Sequence, residues 1–184
     1  MQVWVDMTLT RMNLAVTGTR EGWTDAQRET FERILRTVKI GTFRHGSCKG
    51  VDVQAAEWVR FFQPSARIVY HPGPDGNDCR VDSGVDDEVL PGSTHFARNR
   101  CMVEQSDGLI AFPLTVQPLD FGGTWYTICH AVKRDKPLWI VWPDGSRFLL
   151  IEDARGTCIK TRVRGTICSL ETDAAWSGYS PRPL

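Results

Sequence analysis

Asn13-Leu14-Ala15-Val16-Thr17-Gly18-Thr19-Arg20 is the stretch on which the reading of this chain turns. A short apolar run that ends at a glycine suits a strand buried on both faces, as strands of a parallel sheet are. Gly18 then permits a sharp turn out of the strand, so that Thr19 and Arg20 offer a hydroxyl, a backbone N–H and a guanidinium fork to a phosphate. Met12 is an alternative start of the strand, and residues 1–11 read as an N-terminal appendage.

Two further stretches repeat the pattern, His45-Gly46-Ser47-Cys48-Lys49-Gly50-Val51-Asp52 and Arg98-Asn99-Arg100-Cys101-Met102. Each falls where a predicted strand gives way to a predicted helix. Unpaired N–H groups and partial positive charge at helix N-termini make such junctions suited to anions. The spacing therefore predicts a crevice for a phosphate-bearing ligand.

Between and beyond these stretches the pattern alternates. Thr24 and Gln27 form a capping box ahead of Phe31, Ile34, Leu35 and Val38 at helical spacing. Ile40 to Arg44 and Arg67 to Tyr70 read as strands, with a helix over Val51 to Phe62 between them. Residues 71–95 are rich in Gly, Pro and Asp and read as a functional loop. A helix from Ala97 to about Gln105, a strand Gly108 to Phe112, a helix Gly123 to Lys133 and a strand Leu138 to Trp142 follow. This order implies an α/β fold, a Rossmann-like parallel sheet with helices on both faces. After residue 145 the segments Phe148 to Glu152, Thr157 to Val163 and Thr166 to Glu171 read as a small C-terminal β extension, with a loose tail from Ala174.

Composition bounds the function. The 184 residues are 41% hydrophobic and 24% charged, enough to bury one full core. Lys+Arg and Asp+Glu both number 22, so no global field draws the chain to nucleic acid or an anionic membrane. No apolar run approaches the roughly 18 residues of a membrane helix, and no signal-peptide core stands at the N-terminus, so a cytoplasmic setting is expected. The six cysteines, at 48, 79, 101, 129, 158 and 168, show neither a CxxC pair nor a cluster with histidine that would hold zinc; they read as reduced thiols, and no metal or cofactor is expected.

The chemistry-bearing residues can be assigned roles. Gly46 and Gly50 allow close approach of the second loop, with Ser47 and Lys49 as donors. Asp52 either bonds a ribose hydroxyl or caps the helix that it opens. His45 is a ligand contact or a structural histidine, and Cys48 a reactive thiol near a helix N-terminus or a small buried filler. His71 ends the third strand, on the carboxyl edge where ligands bind in open α/β sheets. Arg98 and Asn99 are ligand contacts, and Gly122, Gly123 and Thr124 open a helix toward phosphate or sugar. Trp23, Trp125 and Tyr126 are candidate stacking surfaces, and Trp58, Phe61, Phe62 and Trp125 candidates for a homo-oligomer interface, with core packing the competing account of each.

Taken in order, Gly-Thr-Arg, Gly-Ser-Cys-Lys-Gly-Val-Asp, Ala-Arg-Asn-Arg-Cys-Met, Ser-Asp-Gly-Leu-Ile-Ala-Phe-Pro, Gly-Gly-Thr-Trp and Pro-Leu-Trp-Ile-Val-Trp-Pro resemble the SLOG superfamily over residues 12–145. The likeness is nearest to its YspA/YpsA-related branch. The Arg-Asn pair also resembles DNA-processing protein A, and the LOG phosphoribohydrolases are more distant. The resemblance implies a Rossmann-like domain that binds a nucleotide-derived small molecule, often as a homodimer, with residues 146–184 outside it. In the LOG pattern the arginine four residues before methionine, here Arg98, belongs to the active site. Two departures stand out: Asn99 replaces a lysine, and Thr124-Trp125-Tyr126-Thr127 lacks the glutamate that serves N-glycosidic hydrolysis.

Three readings follow. Binding or sensing of a nucleotide-derived molecule without turnover accounts for both the loops and the missing glutamate. An N-glycosidic hydrolase or transferase would need another carboxylate, from Asp75, Asp78, Asp120 or Glu104, to activate water and stabilise positive charge at the ribose carbon. Single-strand DNA binding of the DNA-processing type would rest on Arg98, Asn99 and a basic rim of Lys49, Arg80 and Arg100.

Overall fold

A computed structural model describes residues 11–74, 87–115, 122–152 and 158–163. The chain forms β1 (Met12–Gly18), α1 (Asp25–Thr37), β2 (Ile40–His45), α2 (Val51–Phe62), β3 (Arg67–Tyr70), β4 (Glu88–Val89), α3 (His95–Glu104), β5 (Gly108–Phe112), α4 (Gly123–Lys133), β6 (Leu138–Val141), β7 (Arg147–Glu152) and β8 (Cys158–Val163). The strands lie in one sheet in the order β4-β3-β2-β1-β5-β6-β7-β8. The first six are parallel, and β7 and β8 are antiparallel. The expected α/β architecture is thus present, Rossmann-like in its parallel part. The C-terminal extension continues that same sheet rather than forming a separate layer. The segments expected at 1–10, 166–171 and beyond 174 lie outside the described residues.

Strand alternation sorts the core into two layers. Leu14, Val16, Phe43, Ile68, Ile110 and Phe112 point to one face and pack under Phe31 and Ile34 of α1 and Val51, Ala55 and Val59 of α2. Ala15, Leu109, Ala111, Leu138 and Ile140 point to the other, against Met102 and Val103 of α3 and Trp125, Ile128 and Ala131 of α4. Such two-sided burial is why these strands read as continuous apolar runs.

Local signals set the helices. The Thr24 capping box forms as expected, Thr24 Oγ1 accepting from Gln27 N–H at 3.1 Å and Gln27 Oε1 from Thr24 N–H at 3.0 Å. The buried Gln27 amide also donates to Pro113 O at 3.1 Å and Val141 O at 2.9 Å, which ties α1 to the ends of β5 and β6. Three expectations need correction. The third helix begins at His95 rather than Ala97, because Thr94 caps it by accepting from Ala97 N–H at 3.3 Å. The loop at 71–95 contains the short strand β4, held by Asp87, whose carboxylate accepts from Ile68 N–H at 3.1 Å, Tyr70 Oη at 3.3 Å and Arg60 at 2.5 Å. Trp125 is no interface residue: it is 3% exposed and stacks near Trp142 inside the second core layer.

Trp23 likewise fills core space against Phe31 and Phe112. Trp58 lies edge-on to it and donates to Glu32, which leaves Phe61 as the exposed aromatic of α2.

Gly18 owes its presence to packing. A Cβ there would lie 2.5–2.6 Å from both Val51 methyl carbons. Gly18→Ala is expected to destabilise the fold by roughly 1–3 kcal/mol through overpacking; Val51→Ala in the same chain, which removes both methyl groups but keeps the Cβ that lies nearest, is expected to recover only part of that loss. Denaturant unfolding of the single and double variants checks this; additive losses would show that the contact is not the cause.

Candidate functional site

The sheet reverses its winding between β1 and β5, since β2 and β3 extend to one side of β1, and β5 and β6 to the other. Ligands of open α/β sheets bind outside the carboxyl ends of the strands at such a reversal. Gly18 to Arg20, His45 to Gly50, His71 and the start of α4 all lie at that edge.

The first two loops are built against each other. Thr19 O accepts from Val51 N–H at 3.0 Å, and a Cβ on Gly50, which has φ +84°, would meet Thr19 O and approach Arg20 O to 2.6 Å. Only glycine permits this approach. The Thr19 hydroxyl donates to Gly22 O at 3.0 Å, so it is held within its own turn. Arg20 and Lys49 are exposed at the rim.

Asp52 sits in the first turn of α2, 6% exposed, and its Oδ2 accepts from Cys48 N–H at 3.2 Å. It therefore caps the loop that precedes it. Burial drives its carboxyl up to about 6, opposed by the N–H bonds from Cys48 and Gly46 and by the Arg98 and Arg20 charges. With the first N–H of α2 taken by Thr19 and a carboxylate beside it, this terminus is poorly suited to phosphate.

Arg98 crosses from α3 to the second loop. It is 8% exposed; its Nη1 donates to Gly46 O, its Nη2 lies 3.0 Å from Cys48 Sγ and its Nε donates to Asn99 Oδ1 at 3.3 Å. A Cβ on Gly46 would come within 3.0 Å of both the Arg98 guanidinium carbon and Asp52 Oδ2, so Gly46 is the gap that lets the two flank one loop. Cys48 is accordingly half-buried and turned toward Arg98, which corrects its reading as a small buried filler. Next along α3, Asn99 donates to Gly123 O at 3.4 Å and joins α3 to the head of α4.

Three of the chain's four histidines lie near Arg98. His45, fully buried, accepts from Ser47 N–H at Nδ1, so its neutral ring carries the proton on Nε2. Burial, then His71 and Arg98, push it down to about 3; burial, then Arg44 and Arg98, push His71 down to about 4. Ser47 is buried at φ 56°, its Oγ without a hydrogen-bond partner among the described residues. His95, beside Gly73 and Arg98, and Arg44, beside His71, also belong to this edge. Sequence reasoning missed both. A charged residue between the buried Phe43 and His45 of β2 was the available signal for Arg44.

At α4, Gly122 supplies no side-chain cap and the first turn holds no acidic residue. Among the described residues, a Cβ on Gly123 would find only Asn99 Nδ2, at 3.9 Å. The head of α4 has, among the described residues, neither a side-chain cap nor a neighbour closing it, with Thr124 half-buried beside it. Of the remaining expected residues, Glu104 is paired with Arg134 at 2.9 Å and His130 at 3.3 Å, at the end of α3 away from Arg98, and so supplies no carboxylate here. Arg100 donates to Tyr126 Oη at 2.9 Å on the outer face of α3 and α4. Asp75, Asp78, Arg80 and Asp120 lie outside the described residues. Among the described residues no cluster could hold a metal ion, and no helix is long and apolar enough to cross a membrane. Comparison of the chain with protein-family models, curated proteins and solved structures finds no match.

The Asp52 carboxyl binds its proton more tightly in the folded chain, so its contribution to stability is full below pH 3.8 and is lost as pH rises through about 6. His45 and His71 act in the opposite sense, losing stability as pH falls from 6.5 toward 4 and below. Asp52→Asn, which keeps an acceptor for Cys48, isolates the first effect: it is expected to gain on the order of 2–3 kcal/mol relative to the parent between pH 4 and pH 7.5. Unfolding curves at both pH values check this, and a pH-independent difference would refute a buried, raised carboxyl.

Proposed function

We propose that the chain binds or senses a nucleotide-derived small molecule at the carboxyl edge of its parallel sheet, with a phosphoryl group on the head of α4. One observation carries the reading. Of the helix starts in the parallel part of the fold, α1 is capped by Thr24, α3 by Thr94 and α2 is closed by Thr19 and Asp52, whereas α4 opens without a side-chain cap and, among the described residues, with free space at Gly123. Its N–H groups and dipole suit an anion, and Arg98, Arg20 and Lys49 add positive charge at the same edge. The likeness of the sequence to the SLOG superfamily supports the same ligand class and suggests a homodimer in the cytoplasm. Arg98 serves as a positioning residue for Gly46 and Cys48, its remaining N–H groups and its charge acting on the ligand.

A second reading, hydrolysis or transfer at an N-glycosidic bond, is favoured by a single fact: Asp52 is a buried carboxyl raised to about 6 at the same edge as Arg98. Single-strand DNA binding is weakened by the engagement of Arg100 with Tyr126, away from the crevice.

Gly123→Ala separates binding from folding. Alanine in the first turn of α4 meets no atom of the described residues closer than 3.9 Å and favours the helix, so stability is expected to stay equal or rise by up to about 1 kcal/mol. The methyl group would occupy the space of the phosphoryl group, so nucleotide affinity is expected to fall about tenfold or more. Thermal shift with nucleoside mono- and diphosphates reads both quantities, since a ligand of the folded state raises Tm by mass action. Unchanged binding in this variant refutes the seat on α4, and release of free base from a bound nucleotide would establish the hydrolytic reading.

A further inference from the structure

Arg44 is a costly residue to place where it stands, half-buried near the end of β2. It is the penultimate residue of β2, opposite Ala15 of β1 and Val69 of β3. Ala15 faces α3 and α4, so alternation puts the Arg44 side chain on that side of the sheet, at its carboxyl edge. Burial lowers its pKa, opposed by the charges of Glu88 and Cys101 and reinforced by Arg67. Glu88 does not neutralise it: that carboxylate is paired with Arg67 at 2.7 Å. Among the described residues, no carboxylate lies within ion-pair distance of Arg44, and its Nε is buried without a hydrogen-bond partner. Its one directed contact is to another basic group, Nη1 donating to His71 Nε2 at 3.5 Å.

Arg44 is half-buried, and among the described residues its nearest opposing charge, Glu88, is already paired, so an anion close to the guanidinium would offset the cost of its partial burial. His71 accepts from Arg44 and so fixes the direction of the guanidinium fork, and the Arg98 charge adds to the field at His71. Two strands separate this point from the head of α4, β1 and β5, a distance on the order of 10–15 Å from the spacing of paired strands.

We infer that Arg44, oriented by His71, forms a second oxyanion subsite, and that the ligand of the crevice is a nucleotide carrying at least two separated phosphoryl groups. This rests on the reading of the crevice as a nucleotide site, with the first phosphoryl group on α4. His71 is a positioning residue; Arg44 is the group that touches the ligand.

The test compares AMP with adenosine 3′,5′-bisphosphate by titration calorimetry on the full chain. The parent is expected to bind the bisphosphate at least about tenfold more tightly, in line with one added charge-assisted fork. Arg44→Gln should reduce that ratio to near one while AMP affinity stays, whereas Gly123→Ala weakens both ligands. Neutralising Arg44 leaves Glu88 paired with Arg67, so folding is expected to persist; Arg44→Lys, which keeps charge but not the fork, should give an intermediate ratio. His71→Asn, which retains an acceptor, should preserve the ratio better than His71→Ala. Equal binding of the two nucleotides by the parent, or an unchanged ratio in Arg44→Gln, overturns the second subsite and leaves the α4 reading intact. No binding of either nucleotide overturns both. Displacement of the bisphosphate by a short unphosphorylated single-stranded oligonucleotide at lower concentration would replace the small molecule with DNA.

Discussion

The close approach of Gly18 to Val51 is the constraint on which the carboxyl edge depends. Because the end of β1 carries no side chain, the first turn of α2 can settle onto the sheet. Its Val51 N–H then meets Thr19 O, and Gly50 passes over the Thr19 and Arg20 backbone. Two loops become one rigid wall. Everything at the edge is measured from that wall: Asp52 closes it from within, and Arg98 reaches across from α3 to hold Gly46 and Cys48. A side chain on Gly18 would lift α2 and with it the groups that Arg98 grips.

Much of the fold could be read from the sequence because it rests on local rules. Two-sided burial gave β1, β3 and β5 their apolar runs, and the Thr24 capping box fixed the start of α1 by a two-residue exchange of hydrogen bonds. The misreadings arose where a distant partner decides. β4 exists because Asp87 meets Ile68, Tyr70 and Arg60, residues 17 to 27 positions earlier, and no periodicity in a two-residue strand announces that. Trp125 resembled an exposed aromatic at a helix start, but its neighbour is Trp142, from beyond the next strand.

The site was legible in its residue types and not in their allotment. Glycines at strand ends marked all the loops alike, yet they serve different ends: Gly18 admits a helix, Gly46 separates an arginine from a carboxyl, and Gly123 borders open space. The sequence also could not rank three helix termini as anion seats. That ranking depends on what fills each terminus, a hydroxyl at Thr94, a carbonyl and a carboxyl at α2, and no side-chain cap at α4.

Charge at this edge is arranged in an uneven way that bears on what can bind. Arg98 is desolvated but supplied with acceptors on three of its nitrogens, so its burial is largely compensated within the protein. Asp52, on the other side of Gly46, balances its charge and is itself held near the boundary between its two protonation states. His45 and His71 stay neutral chiefly because burial disfavours their charged forms, with the nearby charge of Arg98, and of Arg44 at His71, adding to it. The crevice thus carries positive charge that is fixed, in arginines, and leaves its histidines as hydrogen-bonding groups. On the proposed reading, such a site would discriminate by the position of oxyanions rather than by their number alone, since Arg98 and Arg44 are each oriented by neighbours within the protein, and preorganised donors lose little entropy on binding.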